Sequence, residues 1–253
     1  MEENRKIALV TGASRGIGRD TALALARTGK DLVITYKSEK DKAAAVVSEI
    51  EEAGGKAVAL QLDAADNASF VDFTASLTAL LTQKWNKTQL DYLIHNAGTG
   101  AMNGFLDTTE EQFDEMINVH LKSVFFLTQK LSPLLADQGG IVNISTGLTR
   151  FTTPGASIYA AAKGAVEILT KYMAKELGPR GIRVNVVAPG PVDTDFGGGH
   201  GDNQGFRAFI ASQTTLGRIA VPGDIGGVIA SLCSPEMAWV TAQRIEVSGG
   251  MLL

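Results

Sequence analysis

A tyrosine and a lysine four positions apart, Tyr159 and Lys163, are the pair in this sequence best suited to proton transfer. The surrounding Ala-rich stretch favours a helix over 157–178, and residues four apart share one helix face. A lysine ammonium there would stabilise a tyrosinate, so it should lower the pKa of the phenol from its usual value near ~10. Tyr159 would then serve as general acid toward a ketone or as general base toward an alcohol.

The Tyr-x-x-x-Lys spacing is weakly specific by itself, because Tyr36 and Lys40 also match it at the start of another predicted helix. The pair at Tyr159 is favoured because two hydroxyl side chains, Ser145 and Thr146, end a predicted strand just upstream. The alternative is a surface tyrosine and lysine without a chemical role.

A glycine-rich segment, Thr11-Gly12-Ala13-Ser14-Arg15-Gly16-Ile17-Gly18, lies directly between the first predicted strand and the first predicted helix. Glycines allow a sharp turn and close approach of the backbone to a pyrophosphate, and a helix N-terminus offers free N–H groups. The spacing is G-x-x-x-G-x-G rather than the general G-x-G-x-x-G. Its strand–turn–helix context nevertheless favours nucleotide binding over a turn without a ligand.

The same segment matches G-x-S-x-G, the nucleophile motif of α/β-hydrolases, with Ser14 as nucleophile. Asp193 or Asp195, followed by His200, would supply the remaining triad members in the required order. Part of a hydrolase oxyanion hole comes from a loop on an earlier strand. Only thirteen residues precede Ser14, too few for such a strand, loop and helix, so the hydrolase alternative is disfavoured.

Short apolar, β-branched runs alternate with longer helical stretches along the chain. The runs lack the alternation of a half-exposed strand, which fits a parallel sheet covered on both faces. We therefore expect one α/β domain over residues 1–253, with a doubly wound parallel sheet of about seven strands and helices on both faces. The predicted strands are 7–10, 32–36, 57–62, 91–94, 141–144, 182–188 and 244–247, and the predicted helical stretches are 17–27, 40–52, 67–84, 109–136 and 157–178.

Segment 196–216 is rich in glycine and polar residues and follows the sixth predicted strand. Such a segment is typical of a mobile lid, and we expect it to close over a substrate. Its Phe196, Phe206, Phe209 and Ile210 predict a partly apolar pocket.

The overall composition excludes several classes of protein. A net charge of −4 and a sequence pI of about 5.5 argue against a general nucleic-acid-binding surface. No apolar run approaches the ~20 residues of a membrane span, and the first ten residues do not resemble a signal peptide. The single cysteine, Cys233, fits a reducing compartment, and the three histidines are too far apart in sequence to predict a metal site. We therefore expect a cytoplasmic protein.

Three further segments make the pattern specific: His95-Asn96-Ala97-Gly98, Tyr159-Ala160-Ala161-Ala162-Lys163 and Pro189-Gly190-Pro191-Val192-Asp193-Thr194. In this order and spacing, together with the glycine loop, the chain resembles the short-chain dehydrogenase/reductase family from Lys6 to the C-terminus. The resemblance implies a Rossmann fold and an oxidoreductase that interconverts a ketone and a secondary alcohol, with a nicotinamide carrying the hydride.

The resemblance also implies roles for individual residues. Tyr159 would be the acid/base, Lys163 would also hold the nicotinamide ribose, and a hydroxyl after the fifth strand would bond the substrate oxygen. Asp63 would lie beside the adenine, although it is equally suited to cap a helix. The implied cofactor-binding set is Gly12, Ser14, Arg15, Gly16, Ile17, Gly18, Tyr36, Lys37, Ser38, Asp63, Asn96, Ala97, Gly98, Tyr159, Lys163, Pro189, Gly190, Val192 and Thr194.

The chain departs from the family pattern at the catalytic hydroxyl and in the preceding helix. The family serine normally lies thirteen positions before the tyrosine, and this position is Thr146, with Ser145 as the fallback. His120 occupies the position where the family often has an asparagine whose backbone carbonyl holds a water near the lysine. His120 is therefore either a relay residue or a bystander.

The second predicted strand decides between the two nicotinamide cofactors. Enzymes that prefer NAD usually end this strand in an acidic residue that bonds the ribose 2′-hydroxyl. Here the strand is followed by Lys37 and Ser38, and with Arg15 these offer donors to a 2′-phosphate, whereas Asp31 lies at the far end. We therefore expect NADP(H) rather than NAD(H).

The closest-looking branch of the family includes 3-oxoacyl-carrier-protein reductases and general carbonyl reductases. A cofactor-binding regulator without catalysis is the alternative from another class.

Two predicted long helices, 109–136 and 157–178, carry apolar residues around much of their circumference. In the resembling family these helices pair across a two-fold axis, and the C-terminal strand region makes a second interface. The resemblance therefore implies a homotetramer.

Overall fold

Seven strands form one sheet in the part of the chain that the computed structural model describes, residues 5–100, 102–198 and 203–253. The strands are β1 (Ile7–Val10), β2 (Asp31–Tyr36), β3 (Ala57–Gln61), β4 (Leu90–His95), β5 (Leu135–Ile144), β6 (Arg183–Pro189) and β7 (Arg244–Val247). Every neighbouring pair is parallel, and the spatial order is β3-β2-β1-β4-β5-β6-β7. The predicted doubly wound parallel sheet is confirmed.

The helices cross between consecutive strands and cover both faces of the sheet. They are α1 (Gly16–Arg27), α2 (Lys40–Glu52), α3 (Phe70–Trp85), α4 (Glu110–Ile117), α5 (Ser123–Leu131), α6 (Ser157–Leu177), α7 (Gln204–Gln213) and α8 (Pro222–Leu232). Two apolar clusters lie on opposite sides of the strands. Along β1, Ala8 and Val10 join α1, α2 and α8, whereas Ile7 and Leu9 join α3, α5 and α6. Burial on both faces explains why the strand sequences lack polar alternation.

The predicted helix over 109–136 is wrong in its interior and at its end. A π-helical turn, Asn118–Lys122, separates α4 from α5, and the last helical residue is Leu131. Pro133 follows in a 3₁₀ turn, since proline has no N–H for a continuing helix. Strand β5 begins at Leu135, six residues before the predicted start, and an irregularity in its pairing opposite Leu90 and Tyr92 absorbs the extra length.

Two further helices were not predicted from the sequence. α8 begins at Pro222 and packs against α1, and the Asp224 carboxylate caps it by accepting from the Val221 N–H at 2.8 Å. α7 occupies the middle of the expected lid, so the described part of 196–216 is largely helical rather than a loose loop.

The end of the lid is joined to the C-terminal segment. Thr214 forms a β-bridge with Met251, and the Leu252 N–H donates to the Gln213 carbonyl at 3.0 Å. No helix within the described residues is both long and apolar enough to cross a membrane.

Candidate active site

The predicted site residues gather at one edge of the sheet. The strand order reverses between β1 and β4, and in open parallel sheets a ligand crevice forms at such a switch point, outside the carboxyl ends of the strands. Each segment of interest follows the end of a strand or begins a helix that covers this edge. They are the loop after β1 (Gly12, Ser14, Arg15, Gly16, Ile17, Gly18), the end of β2 (Tyr36, Lys37, Ser38), Asp63 after β3, Asn96, Ala97 and Gly98 after β4, Ser145 and Thr146 after β5, and Pro189, Gly190, Val192 and Thr194 at and after β6.

The glycine loop is held by its neighbours on β2 and β4. The Gly12 N–H donates to Thr35 Oγ1 at 3.1 Å, and Asn96 Nδ2 donates to the carbonyls of Thr11 and Gly12, each at 2.9 Å. Thr11 Oγ1 in turn accepts from the N–H groups of Asn96 and Ala97, each at 3.0 Å. Asn96 thus braces the loop with its side chain. Sequence reasoning missed Thr11 and Thr35, since buried threonines near strand ends carry no specific pattern.

Glycine is required at two positions of the loop. Gly12 has φ +64°, and a Cβ there would lie 2.8 Å from Ala97 Cα. A Cβ on Gly18 would lie 2.4 Å from both Asn96 Nδ2 and the Gly12 carbonyl. The glycine loop therefore packs directly against Asn96 and Ala97, with no room for a side chain at either position. Helix α1 begins after Arg15, whose side chain does not cap it. Its first-turn N–H groups, at Gly16, Ile17 and Gly18, follow the carboxyl end of β1 and have no acceptor within the helix, which suits a phosphate group.

Both cations expected near a 2′-phosphate have carboxylate partners. Lys37 Nζ lies 3.0 Å from Asp63 Oδ2, and Arg15 Nη1 lies 3.4 Å from Asp195 Oδ2. Burial would raise the pKa of Asp63, but hydrogen bonds from the Ala65 N–H and Lys37 outweigh it, so the pKa lies below its ordinary value. Both ion pairs are solvent-exposed and weak, so a ligand phosphate can compete for the cations.

Asp31 lies at the opposite end of β2 and takes part in structure only. It accepts from Trp85 Nε1 at 2.8 Å and from the Lys56 N–H at 3.1 Å. The acidic residue of β2 thus lies at the start of the strand, and the strand ends at Tyr36 instead.

Tyr159 and Lys163 lie in the first two turns of α6 and face the crevice. Lys163 is buried, and its Nζ donates to the Ile144 carbonyl at 2.8 Å and lies 5.9 Å from the centre of the Tyr159 ring. Burial lowers the pKa of Lys163 to about 8. The ammonium is thus held between the end of β5 and the phenol.

The pKa of Tyr159 differs from the sequence-based expectation. Burial raises this pKa to about 12, and a side-chain hydrogen bond with Thr146 opposes the rise only in part. The expected lowering by Lys163 is not observed, because the cost of burying a phenolate is the largest influence on this pKa. In this state the phenol stays protonated at neutral pH, which is the form that donates a proton.

The two candidate hydroxyls point to different partners. The Thr146 hydroxyl is the group that opposes the rise in the pKa of Tyr159, whereas Ser145 Oγ donates to Glu167 Oε1 at 2.7 Å. Thr146 Oγ1 also accepts from the Leu148 N–H at 3.3 Å. The structure therefore brings Thr146, rather than Ser145, to the phenol.

His120 lies in the π-helical turn against the Tyr159 ring. Their ring centres are 5.0 Å apart in an edge-on arrangement. Nε2 lies 2.6 Å from the Thr99 carbonyl, which can only accept, so Nε2 carries the proton. Burial, followed by the charge of Lys163, lowers the pKa of His120 to about 3, so the ring is neutral. Its Nδ1 is a buried acceptor without a hydrogen-bond partner among the described residues.

The segment after β6 covers the crevice. The Phe196 ring centre lies 5.8 Å from that of Tyr159, and a Cβ on Gly100 would lie 2.8 Å from Phe196 Cε1. Thr194 Cγ2 would lie 3.5 Å from a Cβ on Gly16. The segment after β6 thus lies beside the glycine loop through Thr194 and beside the candidate acid through Phe196.

The contacts do not support a hydrolase. Asp193 is paired with Arg207 at 2.5 Å and 2.8 Å, Asp195 with Arg15, and His200 lies outside the described residues. Within the described ranges, three or more histidine, cysteine, aspartate or glutamate side chains do not gather into a metal-binding group.

Comparison with known proteins agrees with this geometry. A family profile described as enoyl-(acyl carrier protein) reductase matches residues 12–252. A 3-oxoacyl-[acyl-carrier-protein] reductase of Staphylococcus aureus is 37% identical over 250 residues, covering 98% of each chain.

Two solved structures are similar over almost the whole chain. The reductase LugOII, described as promiscuous and as catalysing keto-reduction at C1 during lugdunomycin biosynthesis, has a TM-score of 0.94 at 38% identity and covers 100% of both chains. The angucycline C-6 ketoreductase LanV with bound NADP has a TM-score of 0.93 at 36% identity, covering 98% of this chain and 95% of LanV. The chain therefore belongs to the short-chain dehydrogenase/reductase family and is an oxidoreductase.

Proposed function

We propose that the protein reduces a ketone to a secondary alcohol with NADPH, with Tyr159 as the general acid. The observation that carries the proposal is the grouping of Tyr159, Thr146 and Lys163 at the edge of the sheet where the glycine loop follows β1. Burial keeps the phenol protonated, and Lys163 Nζ lies between the Ile144 carbonyl and the Tyr159 ring. LugOII and LanV, which share the fold at 38% and 36% identity, are both described by ketone reduction.

The residues of the crevice fit a nicotinamide dinucleotide. The glycine loop and the first turn of α1 would hold the pyrophosphate, Asp63 and Asn96–Gly98 would flank the adenosine, and Pro189–Thr194 would contact the carboxamide. When bound, such a cofactor supplies the hydride to the carbonyl carbon.

The protein's own side chains manage the proton and the developing charge. Thr146 Oγ1 and Tyr159 Oη would both bond the ketone oxygen, and Tyr159 would transfer its proton as the oxygen becomes an alkoxide. The Lys163 ammonium would stabilise the resulting phenolate and bond the cofactor ribose. Neutral His120 would keep its proton on Nε2, against the Thr99 carbonyl, and its unpartnered Nδ1 would accept a hydrogen bond, which favours the bystander alternative over a relay.

Several features support NADP(H) over NAD(H). Lys37, Ser38 and Arg15 flank the position of a 2′-phosphate, the acidic residue typical of NAD enzymes is replaced by Tyr36 at the end of β2, and LanV was solved with NADP. Each exposed ion pair to Asp63 or Asp195 would give way to a stronger pair with the phosphate.

A second candidate is specific reduction of 3-oxoacyl-carrier-protein thioesters, favoured by the relative from Staphylococcus aureus.

We further propose a cytoplasmic homotetramer. The described surfaces of α4, α5 and α6 leave large apolar side chains exposed, namely Phe113, Phe125, Phe126, Ile168 and Tyr172.

A nicotinamide absorbance assay across a ketone panel tests the proposal, with 3-oxoacyl-carrier-protein included beside free ketones. Oxidation of NADPH with a ketone is the expected result. Binding of NADPH without turnover on any member would instead favour the regulator alternative, and hydrolysis in a parallel ester panel would favour the hydrolase.

A further inference from the structure

Glu167 lies one helical turn beyond Lys163 on α6 and binds the chain that follows β5. Its Oε1 accepts from Ser145 Oγ and Thr149 Oγ1, each at 2.7 Å, and from Arg244 Nε at 2.8 Å. One carboxylate oxygen thus connects α6 with residues on both sides of Thr146.

Arg244, on the edge strand β7, binds the same turn as Glu167. We call these two residues and their hydrogen bonds the clasp. Its Nη2 donates to Thr149 Oγ1 at 3.1 Å and lies 3.4 Å from the Thr146 carbonyl. Its Nη1 donates to Glu246 Oε2 at 3.0 Å. The guanidinium therefore reaches the backbone of Thr146 itself.

Glu246 ties this clasp to the C-terminal segment. It accepts from Ser248 Oγ at 2.7 Å and from Arg150 Nε at 2.9 Å, and Arg150 Nη1 donates to the Leu252 carbonyl at 3.0 Å. Two arginines face two glutamates, so the charges balance and each acid has donors. Networks of this kind contribute little net stability when part-buried, but they fix the geometry of the groups they bind.

We propose that Glu167 and Arg244 are positioning residues, which fix the backbone on both sides of Thr146 so that its hydroxyl meets Tyr159 and the ketone oxygen. Ser145 is held before Thr146, and Thr149 and the Thr146 carbonyl are held after it. A displacement of ~1 Å at a reacting group can cost ~100-fold in rate. The inference rests on the proposed function, because Thr146 must act on the substrate for its position to matter.

The variants Glu167→Ala and Arg244→Met test the clasp in the full-length protein. We expect kcat for ketone reduction to fall by about 10- to 100-fold, while the NADPH dissociation constant and the KM for the ketone stay within about twofold. Glu167→Gln keeps an acceptor oxygen, and Arg244→Lys keeps the charge, so each should recover part of the loss. Glu176→Gln, at an exposed glutamate near the end of the same helix, is the matched control and should retain full activity.

A double-mutant cycle separates positioning from folding. If Glu167 acts through Thr146, Glu167→Ala should cost about tenfold or more in the wild type but almost nothing in a Thr146→Ala background.

The proposal would be overturned if Glu167→Ala lowered kcat by the same factor in the wild type and in the Thr146→Ala background. It would also be overturned if Glu167→Ala lowered the Tm but left kcat unchanged. If Glu167→Ala does not fold, the same cycle with Glu167→Gln decides between these outcomes. If Thr146→Ala is itself fully active, the proposed function of Thr146 fails and the positioning proposal fails with it. If Thr146→Ala has a reduced kcat while Glu167→Ala is fully active, the positioning proposal is overturned and the proposed function of Thr146 stands.

Discussion

Lys37 Nζ lies 3.0 Å from Asp63 Oδ2, so the cation offered to a 2′-phosphate is shared with the acid expected beside the adenine. The two residues follow neighbouring strands, β2 and β3, and both side chains remain exposed to solvent. The pair joins the proposed contact to the 2′-phosphate, which only NADPH carries, to the proposed contact to the adenine, which both cofactors carry.

Replacing Lys37 by alanine should weaken NADPH binding by about tenfold and leave NADH binding within about twofold. Only NADPH carries the 2′-phosphate, and a hydrogen bond to a charged group contributes ~1.5–3 kcal/mol. Fluorescence titration with both cofactors measures the effect, with Lys40→Ala, an exposed lysine three residues on, as the control. Equal affinity of the wild type for both cofactors would contradict the proposed preference.

Replacing Tyr159 by phenylalanine should lower kcat by about 10²- to 10⁴-fold, the usual contribution of a positioned acid, with NADPH binding almost unchanged. Tyr172→Phe on the same helix removes an exposed hydroxyl far from the crevice and should have no effect. Steady-state kinetics on an identified ketone provide the measurement. A Tyr159→Phe enzyme that keeps most of its kcat would remove the acid assignment.

Thr146→Ala should lose more activity than Ser145→Ala. The Thr146 hydroxyl acts on the pKa of Tyr159, whereas Ser145 Oγ donates to Glu167. One donor to a developing alkoxide contributes ~100- to 1000-fold in rate. Thr146→Ser, which keeps the hydroxyl, should retain most of the rate. Measured kcat values for the three variants decide, and the opposite ranking would move the role to Ser145.

Ketone reduction should slow above about pH 8. Burial lowers the pKa of Lys163 to about 8, so its ammonium, present below that pH, is progressively lost above it, while Tyr159, with a pKa of about 12, stays protonated. We expect kcat/KM to fall by about tenfold per pH unit beyond the break. In Lys163→Arg the break should move upward, since arginine is not deprotonated in this range. A profile that is flat up to pH 10 would show that the ammonium is not required.

Light scattering at micromolar concentration should give the mass of four 26.6 kDa chains. Phe125→Asp places a charge on the exposed apolar face of α5 and should reduce the mass, whereas Phe105→Asp, outside the helices, should not. A wild-type mass near one chain would refute the assembly, and a stable dimer would leave one interface.

The fold was predictable because its signals are local. Continuous apolar runs such as Ile7–Val10 indicate strands buried on both faces, and the glycine loop identifies the first crossover. α8 was missed although Pro222 at its first position and Asp224 two residues later are start signals. The π-helical turn that holds His120 against Thr99 and Tyr159 was not predictable, because such turns are rare and have no sequence signal like a helix cap.

The residues of the candidate site were predictable from the sequence, but their pKa values and hydrogen-bond partners were not. Sequence spacing indicated Thr146 and Tyr159, but not that burial would raise the pKa of the phenol, since that depends on what surrounds it. Glu167 carried one overlooked signal, its position one turn after Lys163 on the same helix. Its partner Arg244 lies 77 positions away in sequence, and only the sheet brings them together.

The bridge between Thr214 and Met251 bears on how the protein should be handled in the laboratory. Leu252 is bonded to the end of α7 and to Arg150, so a purification tag or fusion partner appended after Leu253 would pull directly on the base of the lid. The N-terminal side of β1 enters the sheet at the edge opposite the crevice. Affinity tags, surface tethers and fluorescent fusions therefore belong before β1, where they are remote from the catalytic groups.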